Sequence, residues 1–186
     1  MVSSRVAAAS LSQPAGGGLV QTAVRNIVAV VFAAALSTVA VPVAWADVVG
    51  QAQVIDGDTI QVAGERIRLQ GIDAPESRQS CSLGGVGYDC GLNAKRTLTG
   101  ATAGREVTCK GDKRDRYGRL LATCYVGDDD LNARMVRDGW ALAYRRYGKE
   151  YVPQESEARA AGAGLWGGQF VEPWEWRKQS REGRLE

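Results

Sequence analysis

The stretch Val54–Glu76 reads VIDGDTIQVAGERIRLQGIDAPE, and it decides the fold and the function predicted for the chain. Four of its charged residues, Asp58, Arg68, Asp73 and Glu76, stand where strand packing alone would favour apolar residues. Carboxylates at the ends of neighbouring strands suggest a site for a hard cation, calcium or magnesium, with oxygen ligands. An arginine beside them suggests a planar anion such as phosphate.

Short β-rich segments surround this stretch and alternate with a few helical patterns. The predicted strands are Val48–Ile55, Thr59–Val62, Arg66–Ile72, Arg105–Lys110 and Arg119–Val126, with a polar turn at 111–118. The predicted helices are Asn93–Ala103, Leu131–Asp138 with Gly139 as its C′ glycine, and Pro153–Ala161. This pattern predicts an α+β fold, a small closed β-barrel with about three packed helices. The five-stranded Greek-key OB barrel fits the strand count best.

The spacing of Arg68 and Asp73 raises a geometric problem. They are five positions apart, so a regular strand would point them to opposite faces. If both serve one site, the strand must be bulged or sharply coiled, and Gly71 is the expected place.

The sequence contains no histidine. This excludes mechanisms that use imidazole as a base, nucleophile or metal ligand, including the Ser-His-Asp triad. Catalysis would have to use carboxylate, arginine, tyrosine, lysine or a metal ion.

Residues 1–46 are typical of a secretory signal peptide. They contain two basic residues and no acid, an almost wholly apolar run over 27–43, and the pattern Ala44-Trp45-Ala46 before Asp47. The alternative is an uncleaved membrane anchor through residues 27–46, although the apolar run has borderline length. We therefore predict a secreted or periplasmic protein, with the OB-fold domain at 47–170 and a Trp-containing polar tail at 171–186.

Without residues 1–46, basic and acidic residues are equal in number. Such a chain is no strong bulk binder of polyanions, so any affinity for nucleic acid must come from a local basic cleft or a bound cation. Trp166, Trp174 and Trp176 are expected to pack against the barrel, with a binding surface as the alternative.

Export would allow the four cysteines to form disulfides. Three pairings are possible, and we favour Cys81–Cys90 with Cys109–Cys124, because each joins neighbouring segments. A zinc site is disfavoured, since paired short spacings and histidines are both missing.

Three motifs resemble the signatures of the staphylococcal nuclease family. They are DGDT at 56–59, RLQGIDAPE at 68–76 and DRYGRLLATCY at 115–125. The similarity covers roughly Val48–Trp166. It implies an OB barrel with three helices and a nuclease that cleaves DNA and RNA with one calcium ion and leaves 3′-phosphates. It implies no stable protein partner, and we expect a monomer.

The resemblance also implies a role for each matching residue. The calcium ligands would be the carboxylates of Asp58 and Asp73 and the backbone carbonyl of Ala74, and Glu76 would be the general base. Arg68 and Arg119 would clamp the phosphate, while Tyr117 and Tyr144 would lie near the bound nucleotide.

The chain departs from the family pattern in its loops. Ala74 stands where threonine is common, the turn before Arg68 is short, and the loop from Cys81 to Cys90 replaces a lysine-rich loop. A catalytically silent OB module that binds nucleic acid or protein is the first alternative function. The retained charged residues argue against it. The second is an envelope interaction domain held by residues 27–46.

Overall fold

The computed structural model describes residues 47–184, so the predicted signal segment 1–46 lies outside the described residues. The strands are β1 (Val48–Asp56), β2 (Thr59–Val62), β3 (Glu65–Leu69), β4 (Ile72–Asp73), β5 (Cys81–Leu83), β6 (Val86–Tyr88), β7 (Glu106–Arg114), β8 (Leu120–Val126), β9 (Asp129–Asp130) and β10 (Leu142–Ala143). The helices are α1 (Cys90–Thr102), α2 (Leu131–Arg137), α3 (Val152–Ala161) and α4 (Pro173–Arg181), with a 3₁₀ helix at Gly164–Gly167. Between residues 47 and 184, none of the helices is both long and apolar enough to cross a membrane.

Five strands close into a barrel in the order β3-β2-β1-β7-β8, and parallel pairing of β3 with β8 completes the circle. Alternation along β3 sets its orientation, because Ile67 and Leu69 are fully buried while Arg66 and Arg68 lie on the opposite face. The predicted five-stranded OB barrel is confirmed. Four α-helices accompany it in the described part of the chain, one more than predicted.

The three predicted helices form close to their expected positions. Ala94, Leu98 and Ala101 are the buried apolar face of α1, as predicted, although the helix begins earlier, at Cys90. Gly139 follows α2 with a φ of 75°, the left-handed conformation that a C′ glycine adopts.

Strand β7 is longer than predicted. It continues to Arg114, through positions that were expected in a polar turn, and its register shifts between Lys110 and Lys113. Gly111 lies at this irregularity, where a Cβ would be 2.1 Å from the carbonyl oxygen of Leu121. The absence of a side chain therefore lets the two strands stay in contact.

Two segments that had no predicted element form regular structure. The loop after Cys81 folds into the β5–β6 hairpin, because Gly84 and Gly85 both adopt positive φ in its two-residue turn. The segment 171–186 contains α4, which begins with Pro173 in its first turn.

Both favoured disulfides are present. Cys81 is joined to Cys90, and Cys109 is joined to Cys124 directly across the β7–β8 pair. Two such bridges indicate an oxidising compartment, because the cytosol keeps cysteines reduced.

Candidate active site

Two turns bring the first two predicted acids together. Asp58 follows the turn after β1 and is 5% exposed, and Asp73 ends β4 with no exposure. The backbone N–H of Ala74 donates to Oδ2 of Asp58 at 2.9 Å. Gly57 permits this approach, since a Cβ there would lie 2.7 Å from the Cβ of Ala74. Two buried negative charges at this junction require cationic partners.

The geometric problem between Arg68 and Asp73 is resolved at Gly71. Strand β3 ends at Leu69, Gly71 has a φ of 77°, and β4 pairs with β10 instead of extending β3. The prediction of one strand through Ile72 is therefore wrong. The reversal leaves Asp73 beside Arg68, whose Nη2 donates to Asp73 Oδ1 at 2.7 Å. Glycine suits this position because positive φ is strained for other residues.

Arg68 bridges the two buried acids. Its Nη1 forms an ion pair with Asp58 Oδ2 and its Nη2 with Asp73 Oδ1, and its side chain is only 15% exposed. Burial lowers the pKa of the Arg68 guanidinium, while the charge of Asp73 and its hydrogen bond raise it. Arginine stays charged in such a setting, so the three groups form a compact charged cluster.

The second predicted arginine reaches this cluster through one hydroxyl group. Arg119 donates from Nε to Asp115 Oδ2 at 2.8 Å and from Nη1 to the Thr59 hydroxyl at 3.3 Å. That hydroxyl donates in turn to Asp58 Oδ1 at 3.1 Å. Arg119 is thus held beside the acids without pairing to them directly.

A pocket of about 250 Å³ opens beside Arg119 and is lined by Arg66, Tyr117 and Arg119. Tyr117 is 69% exposed, and the Arg119 guanidinium lies 5.6 Å from its ring centroid. An exposed ring flanked by guanidinium groups can stack a base and bind a phosphate. Sequence reasoning missed Arg66, although strand alternation places it on the same face as Arg68.

Tyr144 lies elsewhere, packed against α4. Its ring stacks on Trp174 with centroids 5.6 Å apart and 23° between the planes, and it meets Tyr147 edge-on at 5.2 Å. It does not line the pocket that contains Tyr117. The two predicted nucleotide tyrosines are therefore not brought together.

Arg177 of α4 occupies the other side of the acid cluster. Its Nη1 donates to Glu76 Oε1 at 2.7 Å and to Asp73 Oδ1 at 3.1 Å, and its Nη2 donates to Asp73 Oδ2 at 2.7 Å. Burial lowers the pKa of Arg177, but the hydrogen bonds and charges of Asp73 and Glu76 outweigh burial and raise it. The only sign of this contact in the sequence is weak, an arginine in a polar segment after Pro173.

The oxygen atoms at this junction suit a hard cation. Asp58 and Asp73 supply buried carboxylates, and the carbonyl of Ala74 lies on the residue that Asp58 already binds. Within residues 47–184, no group of three or more Asp, Glu or Cys side chains could hold a metal ion by itself. The ligand set of two carboxylates and one backbone carbonyl stays a prediction.

Comparison with known proteins gives the family. A model described as staphylococcal nuclease homologue matches residues 66–168. The chain is 40% identical over 170 residues to micrococcal nuclease of Shigella flexneri, covering 81% of this chain and 92% of that protein. The chain belongs to the staphylococcal nuclease family. The resemblance found in the three motifs is confirmed.

Other relatives of this staphylococcal nuclease homologue carry different names. An uncharacterized endonuclease of Escherichia coli O157:H7 is 39% identical over 145 residues, 73% of this chain and 89% of that protein. Protein ParB of Escherichia coli is 39% identical over 173 residues, 83% of this chain and 92% of that protein. The family and the nuclease relatives support an endonuclease whose substrates are nucleic acids.

Proposed function

We propose that this staphylococcal nuclease homologue is a calcium-dependent endonuclease that hydrolyses phosphodiester bonds of DNA and RNA to 3′-phosphate products. The observation that carries the proposal is Arg68, which contacts Asp58 and Asp73 at once while Arg119 lies one hydroxyl away. Hydrolysis of a phosphodiester needs positive groups beside carboxylates, because water or hydroxide must attack a phosphate that is itself an anion.

Asp58, Asp73 and the Ala74 carbonyl would hold the calcium ion. When bound, calcium supplies positive charge that polarises the phosphate and favours hydroxide over water. The hard oxygen donors and the small number of protein ligands leave positions for water and substrate.

The guanidinium groups would stabilise the charge that develops on the phosphate oxygens. Arg68 and Arg119 each present a planar fork that matches two oxygens and remains charged at any working pH. Glu76, whose side chain is 35% exposed, can accept the proton of the attacking water. Tyr117 can stack on a base next to the scissile phosphate.

We also propose that residues 1–46 direct export and are removed, which gives a secreted or periplasmic monomer. The two disulfides support this location, since they persist in oxidising compartments. Membrane attachment would arise only if residues 27–46 were retained.

Cleavage of plasmid DNA and of a structured RNA by the purified protein tests the proposal. Activity is expected with calcium and not with excess chelator, and Glu76→Gln should lower the rate by about 10²–10⁴. Glu106→Gln is the matched control, because Glu106 is exposed on β7. Full cleavage in chelator would contradict the calcium role. Binding of DNA without cleavage would favour the catalytically silent module.

A further inference from the structure

Asp73 is the most heavily paired side chain of the site. Both of its oxygens accept hydrogen bonds from Arg177, and Oδ1 also accepts one from Arg68. The carboxylate has no exposure to solvent, so its oxygens are enclosed by guanidinium groups. An acid that serves as a metal ligand must offer at least one of these oxygens to the cation.

The charges of the cluster also oppose a cation in this arrangement. Asp58, Asp73 and Glu76 carry three negative charges, and Arg68 and Arg177 carry two positive charges within hydrogen-bond distance of them. A divalent ion would meet both guanidinium groups at short range in a poorly solvated site. One arginine must therefore withdraw before a cation can bind with full affinity.

The surroundings of the two arginines decide which one withdraws. Arg68 is 15% exposed, lies on a strand of the closed barrel and pairs with both buried acids. Arg177 is 29% exposed and belongs to α4, a helix in which only Pro173 is buried. Trp174 attaches α4 to the domain, because it stacks on Tyr144 and packs against the cluster that contains Leu142 and Leu165.

We propose that Arg177 and calcium compete for Asp73, so that α4 closes the site in the metal-free protein and calcium binding displaces Arg177. The proposal rests on the calcium dependence proposed above. Arg177 would then inhibit cleavage in the absence of calcium, because it also binds the carboxylate of Glu76. The withdrawal of one side chain thereby frees both the metal ligand and the general base.

Calorimetric titration of the full chain with calcium chloride, without substrate, tests this competition. Arg177→Gln should bind calcium about tenfold or more tightly than the wild type. It removes the two charge-assisted hydrogen bonds to Asp73, and a single bond of that kind already corresponds to a factor of about ten. Arg177→Lys keeps the charge but loses the two-pronged contact, so its affinity should be intermediate. Arg181→Gln is the matched control, an exposed arginine on the same helix that should leave the affinity unchanged.

Amide hydrogen exchange gives a second readout that does not depend on activity. Calcium should accelerate exchange in α4 of the wild type, because displacement of Arg177 loosens the helix. Unchanged or weaker calcium binding by Arg177→Gln, with circular dichroism showing a folded protein, would overturn the competition. Absence of calcium binding in the wild type and in every variant would instead overturn the calcium dependence itself, and the competition with it.

Discussion

The barrel and α4 reach the same carboxylate by different routes. Arg68 lies five positions from Asp73 and is held on a strand that is paired on both sides. Arg177 lies 104 positions from Asp73 and is held on a peripheral helix. The Arg68 guanidinium is therefore held by the closed barrel, whereas the Arg177 guanidinium is held by a helix at the edge of the domain. A single carboxylate, that of Asp73, can thus have one permanent partner, Arg68, and one removable partner, Arg177.

The largest difference between the two regions is expected when each arginine is removed. Arg68→Ala should lower the free energy of unfolding by about 3–5 kcal/mol, because two buried acids lose a shared partner. Arg177→Ala should cost only about 1 kcal/mol, since Asp73 keeps Arg68 and α4 is peripheral. Urea unfolding in chelator measures both, with Arg96→Ala on the exposed face of α1 as control. Equal losses for the two variants would break the comparison.

An intermediate effect is expected at Gly91 of α1, which lies against the backbone of Glu76. A Cβ at Gly91 would lie 1.8 Å from the carbonyl oxygen of Glu76, so Gly91→Ala must displace that backbone. We expect a loss of about 1–3 kcal/mol in urea unfolding, together with reduced cleavage. Gly100→Ala in the same helix meets nothing within 4 Å and should be neutral or slightly stabilising. A neutral Gly91→Ala would show that the position of the Glu76 backbone does not depend on its contact with α1.

The smallest effect is expected at the pair of Asp115 and Arg119, at the rim of the barrel. Burial raises the pKa of Asp115, but hydrogen bonds from Arg119 and from the backbone outweigh it and lower that pKa. The stabilisation is therefore present above the unfolded pKa of about 3.9 and is lost as pH falls through the folded value. Asp115→Asn should cost less than about 1 kcal/mol at neutral pH and still less in acid.

Urea unfolding at about pH 6 and about pH 3 measures this change. The stabilisation is fully present at the first pH and partly lost at the second, which lies below the unfolded pKa of about 3.9. Asp128→Asn, at an exposed position, is the control. A difference between wild type and Asp115→Asn that did not shrink in acid would contradict the assignment.

The barrel side of the site could be predicted because its residues are close in sequence. Asp58 lies in the turn before β2, and Arg68 and Asp73 lie on the successive strands β3 and β4. The expected break at Gly71 follows from strand alternation. The disulfide pairs could also be predicted from the sequence, since each joins neighbouring segments. Local pattern and tertiary structure agree in this region.

The other side could not be predicted, because it depends on contacts between distant segments. Residues 173–181 are mostly polar, so their pattern does not predict a helix that packs against the domain. The partners of Arg177, Glu76 and Asp73, lie 101 and 104 positions away in the sequence. The β5–β6 hairpin was missed for another reason. Gly84-Gly85 is a recognised hairpin turn, but the flanking strands have only three residues each.

Barrel closure has a consequence for the newly synthesised chain. The last pairing joins Ile67 of β3 to Leu120 of β8, so Arg119 cannot approach Asp58 until translation has passed β8. A nascent chain that ends before Arg119 contains Asp58, Arg68 and Asp73 but lacks this contact. The order in which the strands are made keeps the candidate site incomplete until most of the polypeptide has been synthesised.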